Sequence, residues 1–173
     1  MTLDFLTRRP RSVLLAFGLG CFAAVGAAAL LGMLFDLEVC AMCWFQRLAF
    51  LLAGTGFLLA AAWPRAQFFT QRIAELGLLV GLASAGRQAY LLSHLDEASG
   101  SCGAGLMYYL QMGNYEAFFR AGMLGGIDCA ENQPLILGLH LPQWSLLAFI
   151  ATIAAYVLWQ IIRARNSTLS QPA

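Results

Sequence analysis

Cys40-Ala41-Met42-Cys43 is the segment of this 173-residue chain best equipped to do chemistry. Two thiols separated by two residues can close into a disulfide and reopen, and so exchange an electron pair with another thiol or a redox partner. The pair stands at the mouth of a long apolar run, which puts Cys43 in or just before the first turn of a helix. Unsatisfied N–H groups and the helix dipole there favour an anion. Arg47 follows one turn deeper on the same face. A helix N-terminus and a nearby guanidinium each depress a thiol pKa from about 8.5, in some proteins to 7 or below. Cys43 is therefore expected to be the better thiolate of the two and the one closer to lipid.

Cys102 and Cys129 form a second, more widely spaced set, each with glycine close by (Gly100, Gly103 and Gly105; Gly125 and Gly126). Glycine suits a backbone that must bend and leaves a cysteine accessible. Three chemistries compete for these four cysteines. Two inert structural bridges are one, and a loop-closing bridge between Cys102 and Cys129 would contribute ~3–4 kcal/mol. A four-thiolate zinc site is another, but the second set lacks close ligand spacing, so no metal is expected. A relay of exchangeable disulfides is the preferred reading. The fifth cysteine, Cys21, sits inside an apolar run and reads as a small buried hydrophobe.

The elements that must hold these residues are set by composition. Hydrophobic residues make up 60% of the chain and charged ones 11%, and the mean hydropathy is +0.70. Soluble domains carry roughly 25% charged residues, so a surface this apolar calls for a lipid bilayer. There is no lysine and no basic stripe for nucleic acid.

Four runs are long enough to cross ~30 Å of hydrocarbon, at about 12–35, 44–63, 73–92 and 144–162. The first has a basic lead and an Ala27-Ala28-Ala29 stretch, but its apolar core exceeds a 7–15-residue signal core, so it reads as a retained helix. The expected fold is an all-α, four-transmembrane-helix bundle forming a single domain over 1–173. Outer loops fall at about 36–43 and 93–143.

Arginine placement orients the bundle. Arg8, Arg9, Arg11, Arg65, Arg72, Arg163 and Arg165 share one side, whereas Asp36, Glu38, Asp96, Glu97, Glu116, Asp128 and Glu131 share the other with Arg120. The positive-inside rule puts both termini in the cytoplasm and Cys40, Cys43, Cys102 and Cys129 outside. Trp44, Trp63, Trp144 and Trp159 lie near run ends, as interfacial anchors do. The small residues of the first run (Gly18, Gly20, Gly26, Gly32) suit close helix packing. In the long outer loop Tyr108, Met112, Tyr115 and Phe119 recur at helical spacing, predicting a short amphipathic helix on the membrane face or packed on the bundle.

Arg87 lies ~8 Å inside the outer end of the third run. An intramembrane arginine is costly and faces a bundle interior or polar ligand, unless it snorkels to headgroups. The functional reading makes Arg87, with Gln88, a donor to a polar acceptor or to the thiolate site. His94 reads as an interfacial loop residue.

Cys40-Ala41-Met42-Cys43 followed by Trp44-Phe45-Gln46-Arg47, the Gly86-Arg87-Gln88 segment, the loop cysteines Cys102 and Cys129, and Leu141-Pro142-Gln143-Trp144 together resemble the DsbB family of membrane thiol oxidoreductases. The resemblance spans nearly the whole chain, and its C-x-x-C-x-x-Q/E-R pattern is the most specific part. Some members carry histidine where this chain has Gln88, which cannot titrate but can still donate a hydrogen bond. The resemblance implies a protein-disulfide:quinone oxidoreductase of the bacterial inner membrane, with redox-active disulfides Cys40–Cys43 and Cys102–Cys129. It implies a DsbA-like periplasmic thiol oxidase as partner and ubiquinone or menaquinone from the membrane pool as acceptor. Arg47, Arg87 and Gln88 are the expected quinone-side residues. The alternatives are a quinone-linked reductase of the vitamin K epoxide reductase type and a non-catalytic membrane scaffold with structural disulfides.

Overall fold

A computed structural model describes residues 10–35, 40–94, 106–125, 135–136 and 138–169. Four long helices dominate it: α1 (Pro10–Leu34), α2 (Ala41–Ala62), α3 (Gln67–Ser93) and, last in the chain, α6 (Leu141–Leu169). They contain 25, 22, 27 and 29 residues. At ~1.5 Å per residue even the shortest exceeds ~30 Å of hydrocarbon. Three of them, α1, α2 and α6, are both long and apolar enough to cross a membrane. The third, α3, matches them in length but carries Gln71, Arg72, Glu75, Arg87 and Gln88 and is less apolar. The chain is an all-α membrane protein. Leu15, Leu19, Leu30, Leu147, Ile150 and Leu158 point outward from α1 and α6, an exposure that lipid tolerates and water does not.

The helix ends follow local chemistry. Cys40 is the N-cap of α2. Trp63 leaves the helical region because Pro64 follows it, and Pro64–Ala66 makes a single 3-10 turn into α3. The turn returns α3 antiparallel along α2. Gly56 meets Thr70 and Ala74 near the turn, Gly77 meets Ala49 and Ala53 midway, and Gln88 meets Gln46 at the far end. On the other flank of α2, Gly18 and Cys21 of α1 pack against Gly54. α6 closes the bundle by packing Phe149 over Gly81 of α3 and stacking the same ring on Phe50 of α2 at 3.9 Å between centroids. α1 and α6 touch each other thinly. Their main meeting is an aromatic cluster in which Phe17 contacts Tyr156 and Trp159.

Several expectations are corrected here. The helices extend beyond the predicted runs, chiefly α3, which starts at Gln67 rather than 73, and α6, which spans 141–169 rather than 144–162. The hydropathy window ends at polar residues that the helical backbone passes through. Trp159 is no interfacial anchor: it is buried with Phe17 and Tyr156, whereas Trp44, Trp63 and Trp144 are exposed. Of the small residues on α1, Gly18 is in tight contact, but among the described residues nothing lies near Gly20 or Gly26.

The single outer helix is two, α4 (Leu106–Gln111) and α5 (Tyr115–Leu124). Gly113 adopts a positive φ of 68° and Asn114 caps α5 by accepting from the Ala117 N–H, so the continuous stripe breaks between Met112 and Tyr115. Leu135–Ile136 and Leu139–His140 add an unexpected two-stranded hairpin, β1–β2, with Gly138 at positive φ in the turn. Cys102 and Cys129 lie outside the described residues, as do Arg8, Arg9 and the loop acids other than Glu116.

Cys21 is buried against α2, as expected of a small hydrophobe. Cys21→Ala removes one sulfur and costs about 1 kcal/mol. Unfolding in detergent, followed by circular dichroism, should show that small loss and no more.

Candidate functional site

The site forms where the start of α2 meets the far end of α3 and the start of α6. Because α2 begins at Ala41, Cys40 stands just outside the helix and Cys43 in its first turn. The geometry turns Cys40 back toward the helix, and its Sγ accepts the Cys43 backbone N–H at 3.4 Å. The two sulfurs approach to 2.9 Å, so interconversion of dithiol and disulfide requires only a small side-chain movement. The helix-terminal N–H expected to serve Cys43 is thus spent directly on Cys40.

Gln88, fully buried on α3, reaches across to the pair. Its Nε2 lies 3.4 Å from both Cys40 Sγ and Cys43 Sγ. Behind it, Gln46 Nε2 donates to Gln88 Oε1 at 2.8 Å, and Ser145 Oγ donates to Gln46 Oε1 at 2.7 Å. Three side chains from α6, α2 and α3 therefore hand one hydrogen bond to the next until it arrives at sulfur. Gln46 is also buried. Buried amides are tolerated in an apolar bundle only when they are paired in this way.

Arg47 does not go to the sulfurs. Its Nη2 donates to the Ala28 carbonyl of α1 at 3.0 Å, and its guanidinium sits over the Trp44 ring, 5.5 Å from the centroid. This clips α1 to α2 and sets the positive charge in the wall of a cleft. The cleft, roughly 270 Å³, lies between α1 and the start of α6 with α2 as its floor. Cys43, Gln46, Arg47 and Ser145 are its polar lining, and Val25, Leu31, Phe50 and Pro142 are among its apolar walls. It exists because α1 and α6 barely touch at this level. Cys43 borders the cleft and Cys40 does not.

The outer helix α5 covers the other side of the CxxC segment. Phe118 and Phe119 stack edge-on against Phe45. Ser84 Oγ donates to the Gly122 carbonyl at 2.8 Å, and Gly125, at φ 69°, packs on Met42 and Leu91.

The match to a known family is decided along nearly the whole of this frame: the family described as disulfide bond formation protein DsbB matches residues 10–159. The chain belongs to the DsbB family. Its relatives include disulfide bond formation protein B of Hahella chejuensis, 38% identical over 84% of this chain and 92% of that one. Disulfide bond formation protein B 1 of Pseudomonas syringae pv. syringae is 33% identical over 92% and 94% of the two chains. The protein of that name from Pseudomonas aeruginosa is 31% identical over 90% and 97%. No solved structure is significantly similar to the chain.

Within this DsbB-family site the structure brings together Cys40, Cys43, Arg47 and Gln88 of the residues singled out by sequence. It does not bring in Arg87, whose guanidinium stacks on Tyr90, 5.5 Å from the ring centroid, away from the cleft lining. His94 stacks on the same ring at 4.2 Å. Gln46 and Ser145 were not assigned a role from sequence. Gln46 stood inside the quoted C-x-x-C-x-x-Q/E-R pattern, so a signal was present. Ser145 had none, because its partner is 99 positions away.

Proposed function

We propose that this protein oxidises a reduced, DsbA-like dithiol oxidase outside the cytoplasmic membrane of a bacterium and passes the electron pair to membrane quinone. In this reading all four long helices cross the bilayer, both termini are cytoplasmic, and Cys40, Cys43, Cys102 and Cys129 face the periplasm. The observation that carries the reading is the division between the two CxxC sulfurs: Cys43 borders an apolar cleft between α1 and α6, whereas Cys40 lies at the helix mouth outside it.

The cleft fits the head of a quinone. A cavity of about 150 Å³ holds a benzene ring, so roughly 270 Å³ has room for a substituted ring. α1 and α6, which flank the cleft, are in only thin contact with each other, and a hydrocarbon tail would leave between them. Arg47 and the second N–H of Gln46 would donate to the ring's carbonyl oxygens, the Ser145 hydroxyl proton being committed to Gln46 Oε1. A bound quinone would supply an acceptor for two electrons and two protons.

The chain's own residues perform the thiol chemistry. The partner's thiolate attacks the Cys102–Cys129 disulfide at Cys102, and Cys129 departs as a thiolate. Cys129 attacks Cys40, breaking the Cys40–Cys43 bond, and Cys43 leaves as a thiolate beside the cleft. The partner's second thiol displaces Cys102 and leaves oxidised; Cys102 attacks Cys129, re-forming Cys102–Cys129 and freeing Cys40, and the two reduced sulfurs give up the electron pair when the Cys40–Cys43 bond re-forms. Exchange is favoured by a good leaving thiolate, and the Gln88 N–H is placed to receive that charge. The α5 helix, packed on Phe45 and Met42, covers the CxxC segment during these steps. Mixing purified protein with reduced DsbA-type protein and a soluble ubiquinone analogue should form quinol in proportion to the dithiol consumed. Dithiol oxidation without quinol overturns the reading.

Arg47 offers a graded test. Arg47→Met removes a cation whose charge-assisted hydrogen bonds contribute about 1.5–3 kcal/mol each. The apparent KM for the quinone analogue should rise at least tenfold, with a smaller change in kcat, in steady-state quinol assays.

A further inference from the structure

The primary amide of Gln88 could face the sulfurs with either end. Its Nε2 lies 3.4 Å from both sulfurs, while its Oε1 lies 4.0 Å from Cys43 Sγ. The two orientations are chemically opposite. An N–H directed at sulfur stabilises negative charge there; a carbonyl oxygen repels it and suits only a protonated thiol.

Local structure on α3 does not choose between the two ends. Gln46 does. Its Nε2 donates to Gln88 Oε1 at 2.8 Å, which occupies the carbonyl and turns the N–H of Gln88 toward the cysteines. Gln46 is held in turn at its far end, where Ser145 Oγ donates to its Oε1 at 2.7 Å. Gln46 and Gln88 are both buried, at 4% and 0% exposure. An unpaired amide there is costly, so the orientation of one fixes that of the next.

We propose that Gln46 is a positioning residue for the Cys40–Cys43 pair, holding the Gln88 amide so that its N–H rather than its carbonyl faces both sulfurs. The inference rests on the reading of Cys40–Cys43 as an exchanging pair. Its consequence is redox poise. Reduction of the disulfide takes two electrons and two protons and yields two thiols, one or both of which can release a proton to become thiolate. N–H donors at the sulfurs stabilise that reduced state and make the disulfide a stronger oxidant. Loss of the orienting donor should make the disulfide harder to reduce.

The test uses the full chain in detergent, equilibrated against glutathione buffers of defined ratio. The redox state of Cys40 and Cys43 is read by differential alkylation and mass spectrometry of their peptide. Gln46→Met, which keeps length and bulk but removes the donor, should shift the equilibrium toward disulfide by about threefold to tenfold, the range of one neutral hydrogen bond. Gln88→Met should shift it at least as far. In the Gln88→Met background, Gln46→Met should add nothing, because its effect is exerted through Gln88. A bridge that merely joined α2 to α3 would change stability and leave the equilibrium where it was.

Should Gln46→Met fail to fold, Gln46→Asn, which withdraws the amide by one methylene, should give the same shift. An unchanged equilibrium in the folded variant, or additive shifts in the double variant, overturns the inference alone. A wild-type pair that does not exchange with glutathione at all overturns the underlying reading as well.

Discussion

Replacing Cys43 by serine should reduce quinone reduction by the purified protein to the uncatalysed background, a loss on the order of 10³-fold or more. Serine has nearly the shape of cysteine and keeps a hydrogen-bonding group near Gln88, so the fold should survive. It cannot form or break a disulfide, and the group bordering the cleft would carry no electrons. Cys40→Ser should abolish turnover equally, but for a different reason: no electrophilic sulfur remains for an incoming thiolate. The two variants are separable. Cys40→Ser leaves a thiol lining the cleft, and alkylation by a hydrophobic maleimide should label Cys43 there. A non-catalytic scaffold with structural disulfides predicts no quinol formation above background even in the wild type. Quinol absorbance, followed with excess reduced dithiol protein, decides between these outcomes.

The close cysteine pair and its helix mouth were legible because both are local. A CxxC at the start of an apolar run needs no tertiary information, and Cys40 is indeed the N-cap of α2. The four long helices were legible for the same reason, since length and hydropathy are properties of a segment. What could not be read was direction. Arg47 stands one turn from Cys43 and was assigned to it on that spacing, yet its guanidinium turns to the Ala28 carbonyl on a neighbouring helix. Side chains on one helical face can still point to different partners. Arg87 and Gln88 are adjacent in sequence, but neighbouring residues on a helix stand about 100° apart, so only Gln88 faces the sulfurs. Ser145 completes the amide chain from the far end of the sequence, where only the packing of α6 reveals it. The outer helix pair was read as one element because its aromatic spacing continues through Gly113-Asn114; a positive φ and an N-cap interrupt it.

Gly56→Leu should remove both stability and turnover, because the site depends on how closely α2 and α3 approach. A Cβ at Gly56 would stand 2.8 Å from the Thr70 carbonyl oxygen and 2.9 Å from the Ala74 backbone N. These are backbone atoms of a packed helix, so no side-chain rotation relieves the contact. Glycine to alanine inside a helix gains up to about 1 kcal/mol of propensity, against roughly 1–3 kcal/mol for overpacking. Gly56→Ala should therefore be modestly destabilised, by about 1 kcal/mol. Leucine adds three more carbons to the same gap, and the clash wins by about 3 kcal/mol or more. In lipid the penalty is not recovered by burying apolar surface, since helix association there depends on close packing itself. The functional consequence follows from the hydrogen bonds at the other end of the same seam. Gln46 and Gln88 meet across α2 and α3 at 2.8 Å, and Gln88 meets both sulfurs at 3.4 Å. A separation of even 1 Å breaks all three contacts. Unfolding in mixed detergent, followed by circular dichroism, should rank wild type above Gly56→Ala above Gly56→Leu. Quinol formation should fall in the same order, and a Gly56→Leu protein of wild-type stability would show that α2 and α3 do not meet at this glycine.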